Sequence, residues 1–187
     1  MKTRFAVSGV LLATTFALQT SADPAAAATL DGPQLQAQLL TSSEVASLTG
    51  VPRVHSVTPS CVEDAVVIPD SDVRATQCQR MFFTALAPKG GAKVQRSVVS
   101  SFAAPEDAAA VLAQYASTSS GIVSSGPGSV VRRFVVKSSG SVGALALIVS
   151  GQTVSMVECV EAPRSNLKKL VSCALKAASR QLQKSAI

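Results

Sequence analysis

Residues 142–160 read VGALALIVSGQTVSMVECV and give the clearest evidence on the fold class of the chain. Ala144 to Val149 is apolar at every position, as in a central strand that is buried on both faces. Gly151 stands where a tight hairpin turn needs a glycine. The stretch therefore predicts two strands of a sheet, Val142–Ser150 and Thr153–Val160.

A C-terminal amphipathic helix is predicted from about Asn166 to about Lys184. Its apolar residues recur at helical spacing: Leu167, Leu170, Val171, Ala174, Ala178 and Leu182. Basic residues cluster on the opposite side: Lys169, Lys176, Arg180 and Lys184. We expect the apolar stripe to pack against the core.

Two further helices are predicted upstream. Thr41-Ser-Ser-Glu44 is a capping box, because Thr41 can accept from the Glu44 amide while the Glu44 side chain reaches back. Gly50 is placed to end this helix with a positive φ. Pro105 opens the second helix, in which four residues share one face: Ala108, Val111, Leu112 and Tyr115.

Three more strands are predicted by short β-prone runs, at Arg80–Ala87, Val94–Phe102 and Val130–Lys137. The glycines of Pro88–Gly91 allow a hairpin between the first two. The resulting order is helix, strands, helix, strands, helix. It predicts an α+β fold with a mostly antiparallel sheet of about five strands and helices packed on it.

Two stretches are predicted to lack regular structure. Prolines and acidic pairs make Val51–Gln79 irregular and loop-rich. Ser117–Ser129 is rich in serine and glycine, which predicts a mobile loop that could lie at the mouth of a binding cleft.

The first 28 residues have the organisation of a secretory signal peptide. A short positive stretch precedes the uncharged apolar run Phe5–Leu18, and small residues then allow cleavage after Ala28 or after Ala22. The run is too short for a membrane span, and no second apolar span follows. We therefore expect residues 29–187 to form a single secreted domain, extracellular or in a periplasm-like space, without stable membrane insertion.

The four cysteines predict two disulfides, because an exported chain enters an oxidising compartment. Cys61, Cys78, Cys159 and Cys173 allow three pairings. The sequential pairing is favoured, since Cys61–Cys78 would close the irregular segment and Cys159–Cys173 would pin the last helix to the sheet. For Cys159 to reach Cys173, either the last helix must cover the Val157 face of the strand or the strand must twist before residue 159. No close cysteine pair indicates zinc.

Charge is distributed unevenly along the chain. Residues 29–79 carry two basic and six acidic side chains, whereas residues 80–187 carry thirteen and four. The basic half is either ordinary solvated surface or a face for an anionic envelope ligand or an acidic partner. Aromatic residues are only 4% and Trp is absent, which argues against nucleic acid as a partner.

The sequence contains no catalytic constellation, and neither a cofactor nor a metal site is indicated. His55 is the single histidine, and no serine lies in a G-x-S-x-G motif. The ligand-binding candidates are Arg132, Arg133 and Phe134. Adjacent strand residues point to opposite faces, so one arginine is expected over an apolar sheet face beside Phe134, where it could meet an anion. The alternative is an edge-strand charge that prevents aggregation.

The segment Leu39-Leu-Thr-Ser-Ser-Glu-Val-Ala-Ser-Leu-Thr-Gly50 resembles the opening helix of actinobacterial exported proteins similar to the extracellular sensor domain of PknH-type Ser/Thr kinases. The resemblance implies an α+β domain with two disulfides and a ligand-binding cleft, without catalysis. We therefore expect a sensor-like domain that captures a small molecule or a cell-envelope ligand. The alternative is a protein-interaction module, such as a protease inhibitor or a host-facing effector, that uses its Cys61–Cys78 loop.

Overall fold

The computed structural model describes six stretches of the chain: residues 29–69, 71–84, 92–117, 121–135, 141–161 and 166–184. The predicted signal peptide and the predicted turn at Pro88–Gly91 lie outside them. Among the helices of these stretches, none has the length and apolarity that crossing a membrane requires.

Helices and strands alternate in groups along the described residues. The helices are α1 (Gly32–Gln38), α2 (Ser42–Thr49), α3 (Pro105–Ser117) and α4 (Leu167–Gln183). The strands are β1 (His55–Ser56), β2 (Ser60–Val66), β3 (Arg74–Phe83), β4 (Ala92–Phe102), β5 (Ile122–Gly126), β6 (Ser129–Val135), β7 (Val142–Ser150) and β8 (Thr153–Glu161).

All strand pairs of the sheet are antiparallel, in the order β1-β3-β4-β8-β7-β6-β5. β1 and β2 both pair with β3, β1 with its C-terminal end and β2 with its N-terminal part. Together the two strands form one interrupted edge of the sheet. The sheet thus consists of two meanders, one ending in β4 and the other in β8. Pairing of β4 with β8 joins them.

Helices cover the two faces of the sheet unequally. We call the face that packs on α1, α2 and α4 the α4 face, and the opposite one the α3 face. On the α4 face, Val157 and Val131 pack against Leu170 and Ala174 of α4. On the α3 face, Leu147 and Val154 pack against α3. The central strands are therefore buried on both sides, as the apolar run in β7 predicts.

Capping boxes begin both N-terminal helices. The predicted box of α2 is confirmed, with Glu44 N–H donating to Thr41 Oγ1 at 3.2 Å and Thr41 N–H donating to Glu44 Oε2 at 2.8 Å. Gly50 ends this helix at φ 68°, where glycine is favoured. α1 was not predicted, although Asp31 and Gln34 form an equivalent box in front of it.

Both predicted disulfides are confirmed. Cys61 and Cys78 lie directly opposite each other on β2 and β3, with 4.1 Å between their Cα atoms. Cys159 of β8 is bonded to Cys173 of α4 across 6.2 Å. α4 covers the Val157 face of β8, which is the first of the two geometries expected for Cys159.

The α+β fold and its mostly antiparallel sheet are confirmed, but two segments predicted to be irregular contain strands. Val51–Gln79 includes β1, β2 and the first part of β3. Ser117–Ser129 contains β5 and the turn that joins it to β6. The described sheet consequently has eight strands rather than about five. Both segments lie at sheet edges, where exposure removes the apolar alternation that would reveal a strand.

Candidate functional site

Alternation along β6 separates the three candidate ligand-binding residues. Phe134 packs in the α3-face cluster, and Arg132 lies near Tyr115 of α3. Arg133 is exposed on the other side of the strand. The structure therefore places Arg132 and Phe134 on one face, as alternation predicts, and removes Arg133 from it.

Aromatic contacts fix the side chains at this end of the α3 face. The Arg132 guanidinium carbon lies 6.0 Å from the centroid of the Tyr115 ring, at the limit of a cation–π contact. The Tyr115 hydroxyl points to Met156 Sδ at 3.9 Å. Phe134 lies across Gly143, whose missing side chain makes room, since a Cβ there would be 2.2 Å from Phe134 Cζ.

An ion pair joins the two central strands on the α3 face. Arg96 of β4 and Glu158 of β8 are register partners. Arg96 Nε donates to Glu158 Oε2 at 3.1 Å, and Arg96 Nη2 donates to Glu158 Oε1. The two side chains are 34% and 15% exposed, so solvent or a ligand can reach the arginine more easily than the carboxylate. This bidentate geometry holds the guanidinium in one orientation.

A cavity of about 200 Å³ lies between α3 and the sheet, and Arg96 forms part of its wall. The polar lining residues are Gln77, Arg96, Ser100 and Tyr115. Gln77 Nε2 donates to Ser100 Oγ at 3.0 Å, which leaves the amide oxygen of Gln77 as an acceptor. The remaining lining is apolar: Val66, Val67, Val98, Val111, Leu147, Val154 and Met156. We call this cavity the α3 groove.

The arrangement is suited to binding a ligand. Arginine, amide and phenol groups over an apolar floor can orient a ligand that has both polar and apolar parts. His55 lies on β1 opposite Phe83, six residues along β3 from Gln77, and does not line the α3 groove. Within the described stretches, no group of three His, Cys, Asp or Glu residues could hold a metal ion.

The predicted cleft loop has a different form from the one expected. Residues 122–126 are strand β5, which pairs with β6 through the turn at Pro127 and Gly128, with Gly128 at φ 70°. All five residues of β5 are exposed. Of the expected mobile loop, residues 118–120 lie outside the described stretches.

Arg96 and Glu158 were missed at the level of sequence. Each is a charged residue within a β-prone run, and a buried charge is costly unless it is paired. That signal marks both positions as unusual. Their partnership depends on the register between β4 and β8, strands that are separated by the whole of α3, β5, β6 and β7.

The architecture is an α+β domain with a mostly antiparallel sheet and two disulfides. The structure is similar to the extracellular domain of PknH from Mycobacterium tuberculosis, with a TM-score of 0.61 and 15% sequence identity. The match covers 84% of this chain and 97% of that chain. No protein-family profile and no curated protein matches the sequence. At this identity the likeness establishes a shared fold, which confirms the predicted resemblance at that level.

Proposed function

We propose that this chain is an exported, non-enzymatic binding domain of the sensor type, which captures a small molecule or a cell-envelope fragment in the α3 groove. The observation that carries the proposal is Arg96, which is ion-paired with Glu158 and forms part of the wall of a partly apolar cavity. An ion pair that served stability alone would gain little here, since replacing such pairs by apolar residues is often neutral or stabilising.

Ligand chemistry follows from the lining. A carboxylate or phosphate can share the Arg96 guanidinium with Glu158, because the arginine presents five N–H donors and the carboxylate uses two of them. The Gln77 amide can accept from a ligand hydroxyl or N–H, and Leu147 and Val154 offer apolar contact. The preferred ligand is therefore a small anion with an apolar part.

The size of the α3 groove indicates that it holds one end of the ligand. Its volume of about 200 Å³ is below the ~300–1,000 Å³ typical of small-molecule sites. Leu145, the register partner of Glu158, is buried in the core, so the rest of the ligand would extend outwards from the mouth of the groove rather than along the sheet.

Three features support a location outside the cytoplasm. The predicted signal peptide would direct export, and two disulfides persist in an oxidising compartment. The similar PknH structure is itself an extracellular domain. We therefore place the working domain in the extracellular or periplasm-like space.

The test is native mass spectrometry of the protein collected from its own culture fluid under non-reducing conditions. We expect a reproducible bound mass that is released on activation. Arg96→Gln/Glu158→Gln removes both charges, keeps polar side chains at both positions and should abolish the bound mass. Arg133→Gln is the matched control, because it removes an exposed charge from the opposite face and should retain it.

Two results would overturn the proposal. One is a bound mass that survives in the double variant. The other is an apo mass for the natural protein together with an unchanged melting temperature in a panel of muropeptides, sugar acids and short-chain carboxylates, since a bound ligand must raise that temperature.

A second candidate function is favoured by exposed valines along the interrupted edge of the sheet. Val57, Val62 and Val66 are 46%, 58% and 51% exposed, beside the disulfide that braces β2 against β3. A protein partner could dock on this preorganised edge. Val57→Asp/Val62→Asp, which does not touch the α3 groove, should then abolish recovery of a partner from culture fluid, while Arg96→Gln/Glu158→Gln should not affect it.

A further inference from the structure

A second and larger groove lies on the α4 face, between α4 and the edge strand β5. Its volume is about 520 Å³, within the ~300–1,000 Å³ range of small-molecule sites. The strand side is formed by Val123 and Ser124. The helix side is formed by Leu167, Lys168, Val171, Ser172, Leu175 and Lys176. We call this cavity the α4 groove; it shares no residue with the α3 groove.

Apolar side chains form the floor of the α4 groove and are open to solvent at its ends. Val123 is 39% exposed and Leu167 is 37% exposed. Val171 and Leu175 are partly buried against the core below. Among the lining residues, Ser124 and Ser172 are the only uncharged polar side chains, so the floor offers few hydrogen bonds to a peptide backbone.

Two lysines stand along the groove. Lys168 and Lys176 are eight residues apart on α4, which places them about 12 Å apart along the helix axis and about 80° apart around it. Further along the chain, Arg180 and Lys184 both pair with Glu44. Within the side chains that the structure describes, no carboxylate pairs with Lys168 or Lys176.

An apolar floor with an uncompensated positive rim matches one class of ligand. We propose that the α4 groove binds a single-chain anionic lipid, with the acyl chain on Val123, Leu167, Val171 and Leu175 and the headgroup between Lys168 and Lys176. Lysine suits this position, because its aliphatic stem extends the apolar wall while its ammonium group meets the headgroup at the surface. This site is separate from the proposed α3 groove and does not depend on it.

The experiment compares two lysolipids of equal chain length by isothermal titration calorimetry below their critical micelle concentrations. Lauroyl lysophosphatidylglycerol carries a net negative charge, and lauroyl lysophosphatidylcholine is zwitterionic. We expect the anionic lipid to bind one to one and at least tenfold more tightly. Inorganic phosphate should bind far more weakly than either lipid, because it cannot use the apolar floor.

Two double variants test the lysines and the apolar floor of the α4 groove separately. Lys168→Gln/Lys176→Gln should remove the preference for the anionic lipid and leave the affinity for the zwitterionic lipid unchanged. Val123→Ser/Leu167→Ser changes only partly exposed residues, so the fold should be retained, and should weaken both lipids at least tenfold. Lys169→Gln is the control, because Lys169 lies on the same helix and does not line the α4 groove; it lines a neighbouring depression that shares Lys168, Ser172 and Lys176 with the groove.

The proposal is overturned if neither lipid binds, if the two lipids bind equally, or if phosphate alone binds as tightly as the anionic lipid. An effect of Lys169→Gln as large as that of the double lysine variant would also overturn it, since the attraction would then be a general property of a basic helix.

Discussion

Gln181 should be the most sensitive polar residue of the core, and its replacement by methionine tests how α4 is held on the sheet. The side chain is fully buried. Its Oε1 accepts from Ser97 Oγ, and its Nε2 donates to the Val98 carbonyl at 2.6 Å. Both contacts reach β4, more than eighty residues earlier in the chain. Methionine has nearly the same volume and removes both hydrogen bonds.

The expected loss of unfolding free energy follows from these contacts. Each hydrogen bond contributes about 1 kcal/mol net, and a buried hydroxyl left without its partner costs about 1–3 kcal/mol. Ser97 keeps a long contact of 3.4 Å from the Leu40 amide, so the lower part of that range applies. We expect Gln181→Met to destabilise the fold by about 2–3 kcal/mol. The melting temperature should fall by roughly 4–12 °C for a domain of this size.

The assay is urea unfolding of the natural protein, Gln181→Met, Ser97→Ala and the double variant. A double-mutant cycle should give a coupling energy of about 1–3 kcal/mol, because the two side chains lose the same interaction. Gln183→Met is the control, since Gln183 is exposed on the same helix, and it should change stability by less than ~0.5 kcal/mol. A Gln181→Met effect as small as that of the control, or strictly additive effects with Ser97→Ala, would show that Gln181 does not hold α4 on the sheet through Ser97.

Three further perturbations test other parts of the structure. Burial raises the pKa of Glu44, but hydrogen bonds from Thr41 and the charge and hydrogen bond of Lys184 lower it below the ordinary 4.5. The contribution of ionised Glu44 to folding stability is therefore present above pH 4.5 and is lost as the pH falls further. Glu44→Gln should flatten the acid limb of a melting-temperature profile, and an unchanged limb would contradict this. Gly143→Ala should destabilise the fold by about 1–3 kcal/mol in urea, because the new methyl group displaces the Phe134 ring; a neutral effect would show that the ring moves freely. Replacing Cys159 and Cys173 by alanine should cost about 3 kcal/mol, the loop-entropy value for their 14-residue separation, and a loss below ~1 kcal/mol in the same assay would contradict it.

The sequence predicts buried elements well and exposed ones poorly. β7 and α4 carry apolar patterns that only burial explains, and both were predicted within a few residues of their observed limits. β2 has mostly exposed positions, so its composition resembles that of a loop. β5 is likewise exposed, and it is defined by the turn at Pro127–Gly128 rather than by its side chains.

The candidate site likewise combines features that are local in the sequence with features that depend on distant strands. Strand alternation alone predicts that Arg132 and Phe134 share a face, because that geometry is local. The partnership of Arg96 with Glu158 depends on which distant strands become neighbours, and no local pattern contains that information. The burial of Gln181 has the same origin: a polar residue beside the apolar stripe becomes a core residue only because β4 supplies its partners.

The β4–β8 pairing sets the order in which this sheet can be completed. β4 is synthesised well before β8, its central partner, since Arg96 and Glu158 are 62 residues apart. Until β8 arrives, the first meander presents an unpaired backbone edge along a strand that contains Val98 and Val99. Closing such a long loop is slow, and an open apolar edge can pair with another copy of itself. Refolding should therefore be limited by the docking of the second meander, with a yield that declines as protein concentration rises.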